Sequence, residues 1–267
     1  MESWPAIFAL SILAIGSLAI FSRLAQAAAG RPPDFVVVSK FRIGDVVFLG
    51  TILFVLGGLY GLAALAQYFG AQKGQLDIAA IVVNCFFSFG LMGSILLFLG
   101  LRGINPIEVF GLGRFNWRLA GIALGLLVAA YPMVLLAQAI IYQFISPEAR
   151  PQEVVTFLVE SQSWAERLAI GALAIVVAPL TEELIFRGYL YGVIRKYRNR
   201  FWAILISAGT FAAIHVHLPA IPGLFVLAVV LAIAYEWSGS LWTSILMHSC
   251  FNAVSVYVAI FHPQFME

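Results

Sequence analysis

The chain has 267 residues, of which 62% are hydrophobic and only 10% charged, with a formal net charge of +2. A soluble globular domain carries about 25% charged residues, so a water-facing fold of this length could not hide so much apolar surface. The composition implies a bilayer as solvent, and the small net charge excludes nucleic-acid binding.

Apolar runs of membrane-helix length fall at residues 4–22, 46–69, 77–101, 118–145, 165–194, 201–217, 220–236 and 240–261. They predict an all-α, polytopic membrane helical bundle of about eight transmembrane helices, forming a single membrane domain over residues 1–267. The segment before the first run, Met1-Glu2-Ser3-Trp4, has no basic residue, and Arg23 falls between that run and the signal-peptidase-like Ala25-Gln26-Ala27. The first run therefore reads as a retained helix rather than a cleaved signal. Cys85 and Cys250 lie inside apolar runs without metal-binding or redox spacing and read as buried thiols. Residues 148–163 mix charged and apolar side chains and predict a short interfacial helix. His217-Leu218-Pro219 and Ser238-Gly239-Ser240 supply tight turns between the last three runs. Gly57/Gly61, Gly121/Gly125 and Gly188/Gly192 have the spacing that allows close helix packing.

Basic residues set the orientation. The first loop holds Arg23, Arg31, Lys40 and Arg42, the third Arg102, Arg114 and Arg118, and the fifth Arg195, Lys196, Arg198 and Arg200. The even loops hold only Lys73, Arg150 and Arg167. With eight spans, the odd loops are cytoplasmic and both termini face the other side.

Ionisable groups inside membrane spans are costly, and by default they suggest function. Here they concentrate on three runs: Glu182, Glu183 and Arg187 in the fifth, His215 in the sixth, and His248 with Asn252 in the eighth. Glu183 and Arg187 are four residues apart, so they share a helix face and can pair. Glu182 is rotated by about 100° from Glu183 and points elsewhere. His248 and Asn252 share a face, as do Phe211 and His215. Counted from the cytoplasmic ends, Glu182, His215 and Asn252 lie about 18–21 Å deep by helix rise, so these groups can meet near mid-membrane. His217 and His262 fall near helix ends and read as interfacial.

Peptide hydrolysis needs an activated nucleophile, a base and stabilisation of a developing oxyanion. A poorly solvated glutamate is a stronger base, and an Asn amide is a neutral oxyanion donor. No GxSxG or HExxH motif is present. Zinc held by Glu182, His215 and His248 is chemically feasible, because carboxylate and imidazole are zinc ligands.

Three motifs stand in order: EExxxR over Thr181–Gly188, FxxxH over Phe211–His215, and HxxxN over His248–Asn252. The set resembles the prokaryotic branch of the CPBP family, the CAAX proteases and bacteriocin-processing enzymes, over about residues 110–261. The resemblance implies a glutamate-type intramembrane endopeptidase cutting a membrane-bound or lipidated peptide. Glu182 and His215 would activate water, His248 and Asn252 would bind the oxyanion, and Glu183, Arg187 and Phe211 would support them, with no metal. A non-catalytic scaffold or bacteriocin-immunity protein and a proton-coupled transporter are the alternatives. Against transport, the first half of the chain lacks matching polar groups and no paired half-helices occur.

Overall fold

A computed structural model describes residues 4–32, 35–69, 78–144, 152–215 and 217–265. The main helices are α1 (Trp4–Ala29), α2 (Ile43–Tyr68), α3 (Ile78–Leu101), α4 (Trp117–Phe144), α5 (Glu153–Glu160), α6 (Trp164–Tyr197), α7 (Arg200–Ala213), α8 (Ile221–Ser238) and α9 (Leu241–Phe261). The described residues form no strand, as an all-α bundle requires. In lipid, a helix satisfies its backbone within one segment, and that is why apolar runs of this length take no other form.

The expected eight spans are met in part. Among the described residues, five helices are long and apolar enough to cross a membrane: Trp4–Ala29, Trp117–Phe144, Trp164–Tyr197, Leu218–Ser238 and Leu241–Phe261. The stretches Ile43–Val55 and Cys85–Leu101 and helix α7 are apolar but shorter. Hydropathy measures the length of an apolar run, whereas a helix ends where its backbone bonding ends. The run at 201–217 shows the difference. Its helix, α7, has 14 residues, about 21 Å by helix rise against a hydrocarbon core of about 30 Å. His215 therefore stands just past a helix end and not within a span. The mixed segment behaves as expected, with α5 at Glu153–Glu160, while residues 145–151 and the loop around Lys73 lie outside the described residues.

Two apolar clusters hold the helices. One joins α1 (Phe21), α4 (Ala123, Leu127, Ala130), α8 (Leu227, Leu231, Ala234) and α9 (Met247). Lipid tails are as apolar as these side chains, so close approach over small residues such as alanine does the holding. The second cluster joins Phe41, Leu49, Ile95 and Leu99 to Phe110, Phe186, Tyr189, Tyr191, Phe211 and Tyr235. The first three spans, which carry no motif, thus pack directly against the motif-bearing helices.

Polar contacts concentrate at one end of the bundle. Asp45, fully buried at the start of α2, pairs with Arg102 at 2.5 Å and accepts from Tyr189 Oη of α6 at 3.2 Å. Arg102 Nη2 also donates to Lys40 O at 3.1 Å. On the other flank of α6, Glu236 of α8 accepts from Tyr191 Oη and pairs with Arg195 and Arg200, each at 3.1 Å. Gly239 ends α8 in a left-handed conformation (φ 65°), and Gly111 at φ 63° meets it. A Cβ on Gly111 would lie 2.0 Å from Gly239 O, so the two backbones touch because Gly111 has no side chain. Arg114 Nη1 bridges Phe35 O and Gly239 O. The first, third, fifth and seventh loops thereby gather at a single end.

Candidate active site

The site is built on an irregular stretch of α6. Two π turns, Leu173–Val177 and Leu184–Leu190, flank the α-helical Ala178–Glu183. Pro179 accounts for the first: a proline ring collides with the carbonyl four residues back, and a widened turn relieves the clash. In the second, Phe186 O accepts from the Tyr191 N–H and also from Ser207 Oγ of α7 at 2.8 Å. Motif helix and α7 are tied together there.

The rotation between neighbouring glutamates sends them to different environments. The Glu183 side chain is fully buried, while that of Glu182 remains 26% exposed. Glu183 Oε1 accepts from Arg187 Nη1 at 2.6 Å and lies 2.9 Å from His248 Nδ1 of α9. An ionised carboxylate beside a guanidinium only accepts, so Nδ1 carries the proton of that bond. Nε2 is then the atom turned outward, 3.8 Å from Glu182 Oε2. Arg187 is fully buried; its Nη2 reaches Ala228 O of α8 at 3.4 Å and its guanidinium lies 4.4 Å from the centre of the Phe211 ring. Such stacking lowers the cost of burying the charge.

Phe211 is the hub of the second motif. Besides Arg187, its ring meets the His215 ring at 4.8 Å and the His248 ring edge-on at 5.6 Å. His215 stands past the end of α7, where the last carbonyls lack amide partners. Its Nδ1 takes one of them, Phe211 O, at 2.8 Å. A carbonyl only accepts, so His215 bears its proton on Nδ1 and, in the neutral ring, a lone pair on Nε2. Asn252, one turn beyond His248 on α9, donates from Nδ2 to Ala174 O of α6 at 2.8 Å.

The structure thus brings Glu182, Glu183, Arg187, Phe211, His215 and His248 into one contiguous cluster, with Asn252 anchored beside it. Glu182 and His215 share no direct hydrogen bond among the described residues; Phe211 and His248 stand between the two motifs. Three features were absent from the sequence reading: the Glu183–His248 bond, the ring contacts of Phe211 with both histidines, and the Ala174 carbonyl. The shared depth of Glu182, His215 and Asn252 signalled only that these three helices meet. His217 and His262 sit at helix boundaries, before the turn Leu218–Ala220 and after α9. No group of three His, Cys, Asp or Glu among the described residues is placed to hold a metal ion, so Glu182, His215 and His248 do not form a ligand set here.

Residues 164–254 match the family model described as type II CAAX prenyl endopeptidase Rce1-like. A curated relative, the membrane-embedded CAAX protease MroQ of Staphylococcus aureus (strain USA300), is 25% identical over 235 residues, covering 82% of this chain and 91% of its own length. No solved structure matches the chain. The family match begins at the start of α6 and ends two residues past Asn252, so it contains all three motifs and the whole cluster they form. The chain is an integral membrane protein whose region from α6 to α9 is similar to the Rce1-like CAAX proteases.

Proposed function

We propose that the chain is a glutamate-type intramembrane endopeptidase, one membrane domain acting on a membrane-associated or lipidated peptide. The observation that carries the reading is the convergence of Glu182, the Glu183–Arg187–His248 array and the Phe211–His215 pair. Glu182 is the carboxylate left with solvent access and without an ion-pair partner closer than 3.8 Å. In the proposed reaction, water held between Glu182 and His215 Nε2 gives up a proton to this pair and attacks the scissile carbonyl. General-base catalysis requires both groups to lie within hydrogen-bond reach of that water. The oxyanion that forms is met by His248 Nε2–H and by an N–H of the Asn252 amide. The Glu183 carboxylate, on His248 Nδ1, balances the charge of the ring that donates from Nε2. The tetrahedral carbon then re-forms its carbonyl, the C–N bond breaks, and the proton held at the base passes to the leaving amine. Glu183 and Arg187 hold His248 in place and need not touch the substrate. No step calls for a metal.

The test is cleavage of candidate membrane peptides by purified protein in detergent or bilayer discs. Glu182→Gln, which keeps size and hydrogen bonding but loses the base, should reduce kcat about 10²–10⁴-fold while the protein remains folded and extractable. Wild-type activity should survive chelators. Full activity of Glu182→Gln, or loss on chelation restored by zinc alone, would overturn the mechanism. A folded wild-type protein that cleaves nothing in a broad peptide panel would favour the scaffold alternative.

A further inference from the structure

The Asn252 amide donates to a carbonyl inside another helix, and the question is why that carbonyl is available. A carbonyl in an α-helix is taken by the N–H four residues on, and in a π turn by the N–H five residues on. For Ala174 these donors are Ala178 and Pro179. The Ala178 N–H goes to Leu173 O, and proline has no N–H. Ala174 O is therefore an acceptor without an amide in register. At membrane depth an unsatisfied backbone group costs several kcal/mol, so another donor must supply the bond. Asn252 Nδ2 supplies it at 2.8 Å. The acceptor also fixes which end of the amide is nitrogen, because only the NH₂ can donate to a carbonyl.

We propose that Pro179 is a positioning residue for Asn252. By opening the π turn and leaving Ala174 O without an amide, Pro179 commits one N–H of Asn252 to the backbone. The amide plane is thereby fixed, and the second N–H is left for the substrate oxyanion. The inference rests on the reading of Asn252 as an oxyanion donor. It assigns a task to a buried proline three residues before Glu182, so the helix segment that carries the base also orients the oxyanion donor.

A double-mutant cycle tests the link by two readouts. Asn252→Ala should lower kcat about 10²–10³-fold, the usual cost of one oxyanion donor. Pro179→Ala returns an N–H to the helix and removes the reason for the Asn252 bond. Its kcat should fall about 10-fold at unchanged KM, as misplacing a catalytic group does. Pro179→Gly, which also restores an N–H, should reproduce the loss. The double variant Pro179→Ala/Asn252→Ala should be no slower than Asn252→Ala, because coupled residues are not additive. Losses that multiply overturn the proposal. Full activity of Asn252→Ala defeats the catalytic reading instead. Thermal unfolding decides the structural link independently of activity. Asn252→Ala should lower the unfolding midpoint in the Pro179 background, where it leaves Ala174 O unpaired, and leave it unchanged in the Pro179→Ala background. Equal shifts in both backgrounds refute the link.

Discussion

Arg187 carries a permanent charge in the interior of a membrane helix and has no exposed surface. It is tolerated because its surroundings meet both terminal nitrogens and one face of the guanidinium: Glu183 on Nη1, Ala228 O on Nη2 and the Phe211 ring over the plane. Removing one partner from a buried pair leaves the other charge uncompensated, at a cost of about 3–5 kcal/mol. Arg187→Leu should therefore lower the thermal unfolding midpoint in detergent sharply, and Glu183→Gln should do so less, since a neutral amide still accepts from Arg187 and His248. An unchanged midpoint for Arg187→Leu would mean that the pair is not buried in the folded protein. The Glu183–Arg187 bond was legible in the chain because four-residue spacing fixes it within one helix. The Glu183–His248 bond was not, because it depends on how α9 is rotated against α6, and spacing within either helix is silent on that rotation.

At the scale of the elements, the glycine pairs separate by environment. A Cβ on Gly192 would approach the Phe41 ring to 2.5 Å, and one on Gly188 the Phe110 ring to 2.9 Å. Both glycines let α6 pack flat against aromatic rings from the loops of the motif-free half. Gly121 and Gly125 on α4 meet nothing within 4 Å, so their matching spacing reflects no close contact inside the protein. Gly192→Ala should destabilise by about 1–3 kcal/mol through overpacking, whereas Gly121→Ala should be neutral or gain up to about 1 kcal/mol from helix propensity. Unfolding midpoints of the two variants measured side by side check this, and equal effects would sink the distinction. The same packing accounts for the first three spans, whose role was invisible in their apolar sequence. Phe41 against Gly192 and Asp45 on Tyr189 hold the outer half of α6, and on the opposite flank Glu236 holds Tyr191. The helix that carries Glu182 is thus clamped from both sides.

Across the whole molecule, the polar clamp and the four odd-numbered loops share one end, and that end carries most of the basic residues. By the charge bias this end is proposed to face the cytoplasm. The cluster around Glu182 lies deeper, about 20 Å along α6 from Arg195 by helix rise, so water and an extended peptide must descend from an interface to reach it. A helical peptide hides its carbonyls in its own backbone bonds, so an unfolded terminal segment suits such a site. Lys196, in the last turn of α6, and Gln162, just before α6, are both exposed. In a background with Cys85 and Cys250 replaced, Lys196→Cys should react with impermeant thiol reagents only from the cytoplasmic side. Labelling of Lys196→Cys from the opposite face would refute the orientation. Gln162→Cys should react only from outside if α6 crosses fully.

Composition and periodicity alone determined that the chain lives in a bilayer, that its apolar runs are helical, and that Glu182, His215 and Asn252 can meet at one depth. Each of these follows from local physics: apolar length, helix rise and the four-residue repeat act within one segment. The grouping with Phe211 came from the motif resemblance. The length of α7 and the capping of Phe211 O by His215 were decided by tertiary structure. So were the bonds from His248 to Glu183 and from Asn252 to Ala174. Each of these depends on where one helix's backbone bonding ends or which face it turns to a neighbour. Pro179 lies between the two cases. Its missing N–H is written in the sequence, yet only the packing of α9 against α6 reveals which side chain answers it.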